Sequence, residues 1–215
     1  MNSLRFEDLA RTKRVGNPVV SPDGALVVFT VKSVNMKENR NEVHLHAFKE
    51  GEGVTQLTRQ GTVNSNPQFS PSGDRLAFTS NRSGESQIWI LPLDGGEAFQ
   101  ATKTPLGARQ PVWMPDGKSL LAATTVYKEL WDLKEVAKRA ESEKDDKPTH
   151  HLVDELLFRH WDEWNDETLE HLFLFDIATG ESKNLTPGPY PVPPRALAGD
   201  PDYAVSPDGT EIAFV

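Results

Sequence analysis

A four-residue turn of the type Ser-Pro-Asp-Gly recurs along the chain and constrains its fold more than any other feature. Each copy follows a short apolar stretch and precedes a β-rich one, as 18–20 and 25–29 flank the first copy. Pro presets φ at the second turn position, Asp or Ser bonds its own backbone, and Gly adopts the left-handed conformation that closes a hairpin. The turn residues singled out are Pro22, Asp23, Gly24, Pro71, Gly73, Pro115, Asp116, Gly117, Pro207, Asp208 and Gly209.

The copies stay in phase beyond the turn, which indicates a repeated unit of four strands. A second hairpin in each of the first three units contains Gly51, Gly96 or Gly180, and a short final strand follows it. Short strands, tight hairpins and a period in the forties are typical of the WD40-like blades of β-propellers. The sequence therefore predicts an all-β fold, a partial β-propeller of about three and a half four-stranded blades.

The third unit contains an insertion. Its two turn glycines lie at 117 and 180, whereas those of the first unit lie at 24 and 51 and those of the second at 73 and 96. The extra 36–40 residues fall between the second and third strands, and apolar residues at helical spacing predict two helices there. The first contains Leu130, Leu133, Val136, Ala137 and Ala140, and the second contains Leu152, Val153, Leu156, Leu157, Trp161 and Trp164.

The predicted organisation is an N-terminal segment, 1–16, followed by a partial propeller, 17–215. The fourth unit stops within its second strand, although propellers close with about 4–8 blades and natural proteins seldom leave a strand edge bare. We therefore expect a truncated chain that belongs to a longer protein. The predicted ranges are blade 1 at 17–58, blade 2 at 66–102, blade 3 at 110–186 with the helical insertion at 126–168, and half of blade 4 at 202–215.

Composition excludes several classes of function. The net charge of −9 argues against a nucleic acid or an anionic membrane as partner. The chain has no cysteine, which excludes disulfides and thiolate chemistry. The N-terminus lacks the apolar segment of a signal peptide, so we expect a cytoplasmic protein, or a periplasmic or secreted one if a leader was removed. No cofactor is expected, and an oligomer is compatible with the sequence.

Several stretches carry a resemblance to a known family. They are Phe6-Glu7-Asp8-Leu9, 13–24, 159–164, 171–175 and 184–188, with Pro193-Pro194 beyond. Through them the chain resembles the N-terminal propeller of the prolyl oligopeptidase family of serine peptidases, in its acylaminoacyl-peptidase and dipeptidyl-peptidase V branch. The resemblance implies a propeller that lies over an α/β-hydrolase domain, filters peptide substrates by size and leaves the Ser-Asp-His triad to that domain. This chain contains no Gly-x-Ser-x-Gly motif, so we name no catalytic residue and expect the chain alone to be inactive.

The insertion contains the candidate substrate-binding residues. A peptidase that acts at an N-terminus needs a carboxylate to hold an ammonium, or an apolar pocket for a blocked one. Asp162 and Glu163 lie between Trp161 and Trp164, and Arg159 would hold a substrate carbonyl or carboxylate. The alternative is that the two tryptophans form the buried face of an ordinary amphipathic helix and the carboxylates are solvated.

Two further alternatives remain open from the sequence. The cluster of His150, His151, Asp154, Glu155 and His160 would supply nitrogen and oxygen ligands, but its spacing matches no standard zinc signature. We therefore predict no metal. A stand-alone interaction scaffold, similar to the TolB-like propellers that share the turn, is the alternative to a peptidase propeller.

Overall fold

The computed structural model describes residues 4–144, 159–160, 163–164, 167–193 and 202–214. It begins with a short helix, α1 (Phe6–Arg11), followed by strands that pair in sequence order within each sheet. Blade 1 consists of β1 (Arg14–Val20), β2 (Leu26–Asn35), β3 (Arg40–Lys49) and β4 (Gly53–Gln56). Blade 2 consists of β5 (Asn64–Phe69), β6 (Arg75–Ser83), β7 (Glu85–Pro92) and β8 (Phe99–Gln100).

Blade 3 has the same antiparallel order but is interrupted. It starts with β9 (Ala108–Trp113) and β10 (Ser119–Tyr127). The insertion follows, with α2 (Leu133–Glu143), β11 (Arg159–His160) and β12 (Glu163–Trp164). The blade is completed by β13 (Thr168–Asp176) and β14 (Ser182–Asn184), and β15 (Tyr203–Val205) and β16 (Ile212–Phe214) form a two-stranded fourth unit.

The predicted all-β, partial propeller is confirmed, and so is a helix in its third blade. The prediction of a second helix extending to Trp164 is wrong at its end, because 159–160 and 163–164 pair as antiparallel strands. The first strand begins at Arg14, inside the segment expected to precede the propeller. Within the described ranges, no helix is long and apolar enough to cross a membrane.

The strand register aligns the repeats residue by residue. The last residue of each first strand pairs across the turn: Val20 with Val27, Phe69 with Leu76, Trp113 with Leu120 and Val205 with Ile212. The sequence predicts this equivalence and an interblade role for Trp113. That role is confirmed, because Trp113 is buried and its Nε1 donates to the Gln68 carbonyl of blade 2 at 3.1 Å.

Side chains alternate between the two faces of a sheet. Successive residues of one strand are therefore buried against different neighbouring blades. In β6, Leu76 packs in a cluster with Val28 and Leu45 of blade 1, whereas Ala77 packs in a cluster with residues of blade 3. In β10, Leu120 belongs to the cluster shared with blade 2, and the next residue, Leu121, packs with Tyr203 of the fourth unit. Blades 2 and 3 are therefore each a layer between two neighbouring units.

The carboxylate of each turn accepts local hydrogen bonds that fix the hairpin. In the first copy, Asp23 Oδ1 accepts from the Ser21 hydroxyl at 2.6 Å and from the Ala25 amide at 3.0 Å. In the fourth copy, the hydrogen bond from Ser206 contributes most to lowering the pKa of Asp208 to about 2. The second copy has Ser72 in place of the aspartate, and Asp74 instead accepts from the Ser70 and Ser72 hydroxyls.

The turns also contact each other between blades. A Cβ placed on Gly73 would lie 3.2 Å from Cδ of Pro22, and one on Gly209 would lie 3.2 Å from Cδ of Pro115. At the intervening junction, a Cβ on Gly117 would lie 3.8 Å from Cδ of Pro71. The proline of each turn therefore packs against the glycine of the next, and the motif serves the interblade contact as well as the hairpin.

We expect Gly73→Ala to destabilise the chain more than Gly24→Ala. Both glycines have left-handed backbones, with φ of +77° and +75°, so both substitutions carry the same backbone cost of about 1 kcal/mol. Only Gly73 faces a neighbouring turn, because a Cβ on Gly24 meets none of the described residues within 4 Å. Overpacking against Pro22 is expected to add about 1–3 kcal/mol. Urea unfolding of the two variants measures the difference, and equal free energies of unfolding would contradict the turn-to-turn contact.

Candidate functional site

The insertion leaves the propeller at the end opposite the Pro-Gly turns. The turn at 114–117 joins β9 to β10 at one end of blade 3. At the other end β10 finishes at Tyr127, β13 begins at Thr168 and β9 begins at Ala108, because neighbouring strands are antiparallel. We call this side of the propeller the insertion end. Only blade 3 has an excursion of this length among the described blades.

The base of the insertion is tied to its blade by backbone and side-chain hydrogen bonds. The Lys128 amide donates to the Glu167 carbonyl at 2.8 Å, which brings the two arms of the excursion together. Trp131 Nε1 donates to the Lys128 carbonyl at 2.9 Å, and the Trp131 carbonyl accepts from Asn184 Nδ2 of β14 at 3.2 Å. The Trp131 ring lies edge-on to His171, with centroids 6.4 Å apart. The start of the excursion therefore has a defined position on the blade.

Helix α2 is docked onto blade 3 by one buried side chain and a charged network. Asp132 caps the helix by accepting from the Lys134 amide at 2.8 Å. Val136 is fully buried in the core cluster that blades 2 and 3 share. The Arg139 guanidinium lies 4.0 Å from the ring centroid of Tyr127, at a distance that suits a cation–π contact. The helix is thus part of the folded blade.

Arg139 also links the helix to the returning arm of the excursion. Its guanidinium forms ion pairs with Glu143 at 2.8 Å and with Glu167 at 2.9 Å. The Tyr127 hydroxyl donates to the second oxygen of Glu143 at 2.5 Å. One cation therefore joins β10, α2 and the residue that precedes β13.

A second charged group at the insertion end was missed from the sequence. Arg109 of β9 and Glu170 of β13 form an ion pair at 2.5 Å, in which the Arg109 side chain is 54% exposed and that of Glu170 is 13% exposed. The Tyr203 hydroxyl donates to the Gln110 carbonyl and accepts from the Ala123 amide, so it links the fourth unit to blade 3. Burial raises the pKa of Tyr203, and the charge of Glu170 adds to that rise.

A departure from the repeat pattern marks Arg109. It occupies the register position that Gly16 has in blade 1 and Ser65 has in blade 2. A charged residue at a position where the other blades have small ones is a signal that alignment of the repeats makes visible. Its partner Glu170 has no such signal, because it follows the insertion and lies 61 residues further along the chain.

The structure describes the predicted substrate-binding residues only in part. The backbone of Arg159 pairs with that of Trp164, and His160 pairs with Glu163, in the β11–β12 ladder. Trp161 and Asp162 lie outside the described residues, as do His150, His151, Asp154 and Glu155 of the candidate metal cluster. In the ranges that are described, no three His, Asp or Glu side chains come together in a way that would hold a metal ion. The substrate-binding role of the five residues stays a prediction.

Comparison with known proteins identifies the class of this domain. The family model of the TolB β-propeller domain matches residues 6–149. The uncharacterized peptidase YuxL of Bacillus subtilis is 28% identical over 98% of this chain and 31% of its own length. Dipeptidyl-peptidase 5 of Porphyromonas gingivalis is 31% identical over 94% of this chain and 29% of its own length. In fold, the acylaminoacyl peptidase of Pyrococcus horikoshii matches 93% of this chain and 27% of its own, with a TM-score of 0.61 at 16% identity.

These matches define a four-stranded-blade propeller domain of the kind found in peptidases and in TolB. The chain belongs to the TolB β-propeller domain family. The predicted relationship to peptidases is confirmed, since both curated relatives described above are peptidases by name. The chain spans about three tenths of the length of these relatives.

We expect Val136→Ala to loosen α2 from blade 3. The substitution removes two methyl groups from a fully buried site, with an expected cost of about 1–3 kcal/mol. Val34→Ala is the matched control, because Val34 is 40% exposed and its truncation leaves no buried cavity. Thermal unfolding of both variants measures the cost, and hydrogen exchange in 133–143 reports on the helix itself. Equal effects of the two substitutions would contradict the docking of α2 through Val136.

Proposed function

We propose that this chain is the substrate-gating propeller of an oligopeptidase-type serine exopeptidase, a dipeptidyl or acylaminoacyl peptidase. The observation that carries the proposal is the match of almost the whole chain to peptidases at 28–31% identity. The catalytic α/β-hydrolase domain would lie outside this chain, which has no Gly-x-Ser-x-Gly motif of its own. The propeller would admit peptides of limited size, and the chain alone would not hydrolyse them.

The insertion is the proposed recognition element. Substrate-binding groups are often placed on loops that a rigid scaffold positions. The excursion of blade 3 has such a scaffold, because Val136, Arg139 and the Trp131 carbonyl fix its start on the blade. We propose that Asp162 and Glu163 bind the ammonium group of a peptide N-terminus, that Trp161 and Trp164 flank it, and that Arg159 holds a substrate carbonyl or carboxylate.

The alternative explanation for these residues is weakened by the backbone. It requires Trp161 and Trp164 to lie on one face of an amphipathic helix. The antiparallel pairing of 159–160 with 163–164 is incompatible with a helix through these positions. The described backbone at 159–160 and 163–164 is therefore extended and not helical.

A non-enzymatic interaction scaffold is the second candidate function. It is favoured by the TolB β-propeller model, which matches two thirds of the chain and is not specific to peptidases. A scaffold of this kind would bind a protein partner through its blades and would have no use for a catalytic domain. The two functions differ in whether the whole protein cleaves peptides.

The test uses the whole polypeptide that contains this chain and two chromogenic substrates. One is a dipeptide anilide with a free N-terminal ammonium, and the other is the same anilide with an acetylated N-terminus. We expect the double substitution Asp162→Asn with Glu163→Gln to lower kcat/KM about 10- to 100-fold for the free ammonium. The acetylated substrate should change little, because it has no charge for the carboxylates to bind.

A matched control separates recognition from a general loss of charge. Glu50→Gln with Glu52→Gln removes two exposed carboxylates from a turn of blade 1 and should leave both substrates unaffected. Unchanged kcat/KM in the insertion variant would reject the role of Asp162 and Glu163. Absence of hydrolysis of both substrates by the unsubstituted protein would reject the peptidase function and favour the scaffold.

A further inference from the structure

The three complete blades share a hydrogen-bonded clasp between their third strand and the threonine that follows the fourth. The amides of Leu45, Ile88 and Leu172 donate to the hydroxyls of Thr58, Thr102 and Thr186 at 2.9, 2.9 and 3.0 Å. The residue before each of these amides is buried or half-buried beside the clasp. It is His44 in blade 1, Gln87 in blade 2 and His171 in blade 3.

In blade 3 the contacts define a neutral His171. Its Nε2 donates to the Gly188 carbonyl at 2.9 Å, and its Nδ1 lies 3.0 Å from Asn184 Nδ2. The orientation of the Asn184 amide is set independently, because its Oδ1 accepts from the Thr186 amide and its Nδ2 donates to the Trp131 carbonyl. Asn184 therefore presents an N–H to the ring, and Nδ1 has to accept it. A proton on Nδ1 would face a donor.

In blade 1 the corresponding ring, His44, also lies beside a side-chain amide nitrogen. Its Nδ1 lies 3.2 Å from Nδ2 of Asn64, the first residue of β5 in blade 2. The Asn64 amide is oriented by Ser80 and Arg82, both of which donate to its Oδ1. The Thr58 hydroxyl, which accepts from the Leu45 amide, lies 3.5 Å from the same Nδ1. A proton on Nδ1 of His44 would face the amide nitrogen of Asn64.

In blade 2 the same position has no titratable group. Gln87 Oε1 accepts from the Thr102 hydroxyl at 2.8 Å and from the Thr104 amide at 3.1 Å. Its Nε2 donates to the Thr104 carbonyl at 2.7 Å. The glutamine closes the clasp with the same partners at any pH that leaves the protein folded. Blade 2 is therefore an internal control for the two histidine clasps.

Burial and the neighbouring polar groups shift the pKa values of the two histidines. Burial lowers the pKa of His44; Glu42 on the same strand opposes this, and His46 and Arg82 add to it. Burial also lowers the pKa of His171, and the carbonyls of Gly188 and Tyr190 oppose it. Both clasps thus favour the uncharged ring in the folded chain.

We propose that the clasps of blades 1 and 3 form an acid-sensitive device built into the propeller, while the clasp of blade 2 is insensitive to protons. Acidification would weaken the contact of blade 1 with Asn64 of blade 2. It would also weaken the hydrogen bond from Asn184 to the Trp131 carbonyl, which lies at the base of the insertion. The device is independent of the peptidase function, because it acts on the folded chain itself.

The direction of the effect follows from proton linkage. A histidine whose pKa is lowered by folding binds fewer protons in the folded state than in the open one. The clasp is therefore at full strength above about pH 6.5, the ordinary histidine value, and is lost as the pH falls from there towards the folded pKa. Within that window the opening constant rises by up to about tenfold per pH unit for each histidine.

Amide hydrogen exchange between pH 7.5 and 5.5 tests the device on the full chain. The amides of Leu45 and Leu172 report on the histidine clasps, and that of Ile88 reports on the glutamine clasp. After correction for intrinsic exchange rates, we expect the opening constants of Leu45 and Leu172 to rise on acidification by several-fold relative to that of Ile88. A common pH dependence of all three amides would overturn the proposal.

The matched variant places the glutamine of blade 2 at the equivalent positions of blades 1 and 3. His44→Gln with His171→Gln should remove the extra acid response of Leu45 and Leu172, whereas the control His46→Gln should retain it. Persistence of the response in the double variant would overturn the proposal. NMR titration of the unsubstituted chain provides a test that does not depend on any variant folding. Ring pKa values below about 6.5 for both His44 and His171 support the proposal, and a value at or above about 6.5 for either one contradicts it.

Discussion

The burial of each blade by its neighbours is the constraint on which the rest of the structure depends. A four-stranded sheet has two apolar faces, and neither is covered by its own strands. In β6 and β10, adjacent residues such as Leu76 and Ala77, or Leu120 and Leu121, belong to different clusters on opposite sides of the sheet. A blade therefore has no core of its own, and its stability is a property of the stack.

This constraint explains the repeated turn. A hairpin alone requires a left-handed residue at its end, and many sequences would provide one. The contact of Pro22 with Gly73, and of Pro115 with Gly209, adds a second requirement at the same positions. The turns thereby set the spacing between blades at one end. At the insertion end, the contacts between blades are made by side chains that differ from blade to blade.

The repeat architecture could be predicted from the sequence because its signals are local. The turn residues, the glycines of the second hairpin and the position of Trp113 all follow from phase and spacing. Helix α2 was predicted for the same reason. The strands at 159–160 and 163–164 were not, because apolar residues at helical spacing also occur in short segments whose backbones pair as strands.

The polar groups of the insertion end were not predictable because their partners are distant in sequence. Arg109 and Glu170 are 61 residues apart, and the orientation of Asn64 depends on Ser80 and Arg82 in another strand. The equivalence of His44, Gln87 and His171 becomes visible only when the strand register is known. The propeller is therefore a scaffold whose turn end has the same motif in every unit, whereas the side chains at its insertion end differ between blades.

Shared burial between blades is tested most directly by Leu120→Ala, which truncates a residue of blade 3 in the cluster it shares with Ile88 and Ile90 of blade 2. The cavity is expected to cost about 2–5 kcal/mol. The account predicts that hydrogen-exchange protection falls together at the Ile88 and Ile90 amides and in β10. Loss of protection confined to blade 3, with blade 2 unchanged, would show that the blades are stable independently and would contradict the account.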